Sequence, residues 1–160
     1  EIRSDSIRFV NRQQVSEASD SSTELILRGL DLLEHAVAEL ELDDPVYRPE
    51  QGMCALYAGQ RQAHYTWHYD NERDEWGHWR NYRKLTAILY LNPPDWDASR
   101  DGGHLECETT STSPIVPNGG TIVLFDSCQI RHRVLPAHRD RVALTQRIVQ
   151  PNWDHPPQGP

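Results

Sequence analysis

Apolar positions along this chain follow two rhythms. Leu25, Ile26, Leu30, Leu33, Val37 and Leu40 recur at helical spacing, so the stretch from Ser21 to Leu40 predicts an amphipathic helix. Ser21 and Glu24 are spaced as a capping box, and Asp43-Asp44-Pro45 supplies the stop. Before the helix, Ile2 to Val10 reads as a strand, and Asn11–Ser22 as a polar loop with no core residue beyond Val15. After it the rhythm shortens. Met53–Tyr57, Tyr65–His68, Lys84–Leu91, His104–Cys107, Ile115–Val116, Thr121–Phe125, His132–Leu135 and Val142–Val149 read as strands. Gly, Pro, Asn and Asp separate them, as at Asn92-Pro93-Pro94, Asp101-Gly102-Gly103 and Pro117-Asn118-Gly119-Gly120. The expected fold is mainly β: a double-stranded β-helix, or jelly roll, backed by an N-terminal α-helix. Lys84–Leu91 is apolar on both faces, as a central strand between a helix and a lined cavity would be.

Composition narrows the function classes. The 160 residues suit one domain, taken as residues 1–150, followed by a tail from Pro151 to Pro160 that holds four Pro. No apolar run approaches the ~20 residues of a membrane span. A net charge of −8 argues against nucleic acid as the main partner. A local basic patch stays open to Arg80, Arg83, Lys84, Arg131, Arg133, Arg139 and Arg141. Cys54, Cys107 and Cys128 are odd in number and far apart, which fits reduced thiols and a cytoplasmic or nuclear location. The chain opens on Glu1 and reads as an excised or processed piece, so a missing targeting signal carries no information.

The candidate chemistry sits in His68-Tyr69-Asp70, His132 and Arg141. Residues two apart on a strand project to one side, and a histidine from a neighbouring strand completes a two-His-one-carboxylate face. Such a face leaves half an octahedral iron open. Arg141 can clamp a carboxylate bidentately, so the four together suggest an Fe(II) oxygenase with a dicarboxylate co-substrate. Eight His and thirteen Asp in 160 positions allow roughly 0.65 chance occurrences of His-x-Asp, so the tripeptide alone decides nothing. A second copy, His138-Arg139-Asp140, lies in a polar stretch and has only His155 downstream. It is read as a solvated loop. No cysteine is placed to close a tetrahedral zinc site.

The ordered motifs resemble the 2-oxoglutarate-dependent prolyl 4-hydroxylases, and among them the oxygen-sensing type acting on hypoxia-inducible factor. The likeness runs through Ile2-Arg3-Ser4-Asp5, Cys54-Ala55-Leu56-Tyr57, His68-Tyr69-Asp70, Leu89-Tyr90-Leu91-Asn92, Gly102-Gly103-His104-Leu105, Gly120 to Phe125, and His132 to Arg141. It implies that His68, Asp70 and His132 ligate Fe(II) and that Arg141 binds the distal carboxylate of 2-oxoglutarate. It also implies O2 as co-substrate and ascorbate as supporting reductant. Tyr57, Tyr90, Ile88, Leu105 and Thr145 fall on positions that line or hydrogen-bond the 2-oxoglutarate pocket in that family. Arg83 falls where the animal enzymes present an arginine to an acidic substrate residue, and the loop after the first strand falls where a loop folds over bound peptide. The implied partner is a proline-containing protein, either hypoxia-factor-like or a ubiquitin-ligase adaptor, with no nucleic acid and no membrane.

The sequence also departs from that pattern. Asn71 to Asn81 looks expanded and contains Trp76 and Trp79, read as a substrate platform or a clasp for their own loop. Arg147 stands where the animal oxygen sensors have a tryptophan beside the iron. Two other readings stand beside the leading one: an oxygenase of the same fold acting on nucleic acid or a small molecule, and a non-catalytic jelly-roll binding module.

Overall fold

The computed structural model describes residues 2–13, 21–42, 45–109 and 113–150. The Ser21 side chain, Asp43-Asp44, most of the polar loop and the Pro-rich tail lie outside them. In chain order the elements are β1 (Ser6–Asn11), α1 (Ser21–Ala38), β2 (Gln51–Tyr57), a 3-10 turn (Gly59–Arg61), β3 (Tyr65–His68) and β4 (Arg83–Tyr90). Then come α2 (Ala98–Asp101), β5 (Leu105–Cys107), β6 (Ile122–Asp126), β7 (His132–Val134) and β8 (Arg141–Val149). A five-stranded sheet in the order β1-β2-β8-β4-β6 faces a three-stranded sheet in the order β3-β7-β5. Every strand pair is antiparallel, and the whole is the expected jelly roll with its N-terminal helix.

Side-chain alternation in the large sheet divides the core into two layers. From β4, Leu85, Ala87 and Leu89 join Leu144 and Ile148 of β8 beneath Leu30, Leu33 and Val37 of α1. Ile88 and Tyr90 point the other way, toward Leu105, Val134 and Phe125 between the sheets. Full burial of one leucine is worth roughly 2–3 kcal/mol, so Leu30 and Leu33 tie the helix to the sheet.

Most strand ends shift by a residue or two, and three departures from the sequence expectation change the picture. The first strand begins at Ser6 rather than Ile2, because Ile2–Ser4 cross to the small sheet: Thr66 N–H donates to Ile2 O at 2.9 Å and Ser4 N–H to His64 O at 3.0 Å. The helix ends at Ala38, where Leu40 N–H bonds Val37 O at 3.1 Å and tightens the last turn, so Leu40 falls beyond it; Leu25, in the first turn, is exposed. Of Ile115–Val116, only Ile115 forms a bridge, with Leu105.

Candidate active site

A cavity of about 200 Å³ lies between the sheets, lined by His68, Asp70 and His132 together with Tyr57, Arg83, Thr86, Ile88, Leu105, Arg141 and Thr145. His68 ends β3 and pairs across the ladder with His132 at the start of β7, so antiparallel register brings the two imidazoles together with ring centroids 4.2 Å apart. Asp70 lies just past the end of β3, on the following bend, and not on the strand as expected. The bend still aims it inward. Its Oδ1 is 3.7 Å from His68 Nε2 and its Oδ2 is 4.0 Å from His132 Nε2. One ligand atom from each residue lies within 4.8 Å of the others, a separation that a single metal ion can bridge.

Backbone carbonyls fix both rings. His68 Nδ1 is 2.8 Å from Thr66 O, and His132 Nδ1 is 3.1 Å from Ile130 O. A carbonyl can only accept, so each Nδ1 donates, and Nε2 is the ring nitrogen turned toward Asp70 and open to a metal. Tyr65 stacks on His68 with centroids 3.5 Å apart and adds a wall to its orientation. Burial lowers the pKa of His132, only partly countered by Asp70, which favours the neutral ligand form.

Asp70 is held from behind. Its Oδ2 accepts from Thr86 Oγ1 and from Arg83 Nη1 at 2.9 Å, leaving Oδ1 as the oxygen available to a metal. Thr86 is itself 2.9 Å from the buried Ser127 hydroxyl. Burial alone would raise the Asp70 pKa. His68, Arg83, His132 and Thr86 together overcome it and hold the carboxyl well below its usual range.

Arg141 occupies another part of the cavity wall. It is 2% exposed, and no carboxylate among the described residues pairs with it. Tyr57 and Tyr90 flank the guanidinium, 4.7 and 4.8 Å from its carbon to their ring centroids. Its Nε and the Tyr90 hydroxyl are buried without a standard hydrogen bond. A buried cation between two rings, with donors unspent, fits a carboxylate ligand. The donor set at Asp70 and the one at Arg141 thus fit a metal and a dicarboxylate in one cavity.

Several sequence expectations can now be placed. Tyr57, Ile88, Leu105 and Thr145 line the cavity. Tyr90 lies behind Arg141 and is not a lining residue. Arg83 lines the cavity, and its guanidinium pairs with Asp70. Neither Trp76 nor Trp79 lines it: Trp79 packs under Arg73 at 4.3 Å in its own loop, and Trp76 is 73% exposed. In the second His-x-Asp copy, Asp140 accepts from Gly59 N–H at 2.9 Å, a turn-fixing role. The sequence alone did not mark Thr86, Ser127, Tyr65 or Arg3, which also lines the cavity with its guanidinium carbon 4.5 Å from the Tyr65 ring centroid. The lone hydroxyl within the apolar run Leu85-Thr86-Ala87-Ile88-Leu89 was the one available signal for Thr86.

Comparison with known proteins agrees with this geometry. The family model described as the 2OG-Fe(II) oxygenase superfamily matches residues 52–153. No curated protein matches the chain in sequence. Among solved structures, it is similar to a Pseudomonas putida prolyl-4-hydroxylase, with 29% identity, a TM-score of 0.67, and coverage of 93% of this chain and 73% of that one. A Trichoplax adhaerens prolyl hydroxylase, solved with a peptide fragment of the hypoxia inducible factor oxygen degradation domain, shares the fold at 24% identity and TM-score 0.77, covering 95% and 66%. A Phytophthora capsici prolyl 4-hydroxylase matches at 26% identity and TM-score 0.64, covering 92% and 49%, so this chain spans about half of that relative. The match over residues 52–153 takes in both histidines, Asp70 and Arg141, and the chain belongs to the 2OG-Fe(II) oxygenase superfamily, whose members use Fe(II), 2-oxoglutarate and O2.

Proposed function

We propose that this chain carries the catalytic site of a 2-oxoglutarate-dependent prolyl 4-hydroxylase acting on a protein or peptide. The observation that carries the reading is the presence, in one cavity, of the His68–Asp70–His132 face and a buried Arg141 that has no carboxylate partner among the described residues. The likeness to the Pseudomonas putida enzyme at 29% identity supports proline as the target. Iron held by His68, Asp70 and His132 would supply the chemistry by which O2 oxidatively decarboxylates 2-oxoglutarate to succinate and CO2, one oxygen atom entering succinate and the other a substrate C–H bond.

The chain's own residues do the positioning. His68 and His132 present Nε2 because their Nδ1–H groups are engaged by Thr66 and Ile130. Asp70 offers Oδ1 because Thr86 and Arg83 occupy Oδ2. Arg141 receives the distal carboxylate, with Tyr90 behind it and Tyr57 beside it. Ile88, Leu105 and Val134 give the wall an apolar lining that excludes water from the reacting groups.

A hypoxia-factor-like peptide or a ubiquitin-ligase adaptor is the substrate class this reading favours, and oxygen sensing its physiological use. The Trichoplax adhaerens complex with a hypoxia-factor peptide supports the first. Free Cys54, Cys107 and Cys128 support a reducing, cytoplasmic or nuclear setting. Among the described residues no helix is long and apolar enough to cross a membrane. The test is mass spectrometry of candidate peptides incubated with protein, Fe(II) and 2-oxoglutarate. A mass gain of one oxygen atom on proline, dependent on 2-oxoglutarate, is expected. Gain on a nucleic acid or small molecule with none on any proline peptide would overturn the reading.

A further inference from the structure

The β8 side chains facing the cavity run Arg141, Ala143, Thr145, and strand alternation puts Arg147 next in the row. Arg141 is fully buried, whereas Arg147 is only half-buried and stands opposite Thr86, the residue bonded to Asp70. Arg147 therefore sits at the solvent side of the candidate metal face.

Two arginines share this region, and their charges are not equally available. Arg83 is ion-paired with Asp70 at 2.9 Å. No carboxylate among the described residues comes within ion-pair distance of Arg147, whose guanidinium carbon instead lies 5.0 Å from the Phe9 ring centroid. Burial first, and the neighbouring Arg83 second, lower the pKa of Arg147. A partly desolvated cation beside another cation is a site that an incoming anion would stabilise.

Phe9 extends the feature sideways. It pairs with Met53 across β1 and β2, and Ile7 pairs with Ala55; both partners line the cavity, so Ile7 and Phe9 are on the cavity-side face of the sheet. β1 is the outer strand there, and its two apolar side chains are 44% and 46% exposed. The result is an apolar shelf ending in an unmatched cation, on a chain whose net charge of −8 would otherwise repel an acidic segment.

We propose that Arg147 and the Ile7–Phe9 shelf form a substrate subsite for an acidic peptide segment. Arg147 pairs with an Asp or Glu side chain near the target proline, and the shelf takes an adjacent apolar residue. This rests on the prolyl hydroxylase reading and names the specificity it would have. Charge complementarity selects the occupant: Arg147 is the cation left available once Arg83 is committed to Asp70.

The test uses a matched set of proline peptides carrying Asp, Asn or Lys at the positions flanking proline, each with a neighbouring apolar residue. Wild type is expected to favour the acidic peptide in kcat/KM by about tenfold or more, the worth of one charge-assisted hydrogen bond. Arg147→Gln should erase that preference, Arg147→Lys should keep most of it, and Arg147→Glu should turn it toward the Lys peptide. Phe9→Ser should raise KM for all the peptides. Mn(II) and 2-oxoglutarate affinities, read by calorimetry, should stay at wild-type values in each variant. Hydroxylation indifferent to peptide charge, or a preference unchanged in Arg147→Gln, overturns the subsite while leaving prolyl hydroxylation intact. Absence of hydroxylation of any proline peptide, by wild type that still binds Mn(II) and 2-oxoglutarate, overturns both.

Discussion

At the scale of single residues, this site is governed by which polar atoms are already spent. Arg141 has no carboxylate partner among the described residues, so its value is realised with a ligand. Arg141→Ala is expected to weaken 2-oxoglutarate binding by about 2–4 kcal/mol, with Arg141→Lys intermediate because lysine keeps charge but loses the fork. Calorimetry on folded variants checks this, and wild-type affinity in Arg141→Ala would remove the assigned role. Asp70 is the opposite case, with Oδ2 fully committed to Thr86 and Arg83. Thr86→Val keeps the shape and deletes the donor, so metal affinity should fall by about 1–3 kcal/mol while Thr86→Ser restores it. Equal metal affinity in the valine and serine variants would mean that Arg83 alone holds the carboxylate.

Individual elements matter through their two faces. β4 sends Leu85, Ala87 and Leu89 to the helix and Thr86 and Ile88 to the cavity, with Tyr90 on that same face behind Arg141. A register shift between Arg83 and Leu85 breaks that parity and turns Arg83 to the cavity as well. The same division sorts α1. Leu30→Ala should destabilise by about 2–5 kcal/mol, whereas Leu25→Ala, at a position 56% exposed, should change stability by no more than about 0.5 kcal/mol. Denaturant titration separates the two, and equal effects would contradict the observed helix orientation. The alternation of β4 was legible in the sequence as a run apolar on both faces. The bulge was not, because it depends on the pairing with β8.

The whole molecule is two sheets whose separation leaves room for one small cavity, with a helix closing the far face of the larger sheet. Its candidate ligands come from β3, the bend after it, β7 and β8, so bound metal and co-substrate tie together parts of the chain more than 60 residues apart. Mn(II) with a non-reactive 2-oxoglutarate analogue, each near 100-fold above its Kd, should therefore stabilise the fold by about 2.7 kcal/mol per independent ligand. His68→Ala and His132→Ala should abolish the metal-dependent part of the melting shift. An unchanged shift in both variants would move the metal site elsewhere, with His138 and Asp140 the next residues to test.

Order and spacing along the chain were enough to name the two-histidine, one-carboxylate face, Arg141, the jelly roll and the backing helix. These follow from periodicity and from residue types with few other uses in that arrangement. Four matters waited for the tertiary structure. Asp70 reaches the site from a bend rather than a strand. The Thr86–Ser127 pair is 41 residues apart in sequence and meets only through the β4–β6 side of the sheet. Tyr90 stands behind Arg141 instead of on the cavity wall. Arg83 and Arg147 are both arginines on cavity-facing strands, and nothing local tells which has a partner. That is decided by the bulge that brings Arg83 to Asp70 and the register that sets Arg147 opposite Thr86, because an ion pair depends on distance through space and sequence records only distance along the chain.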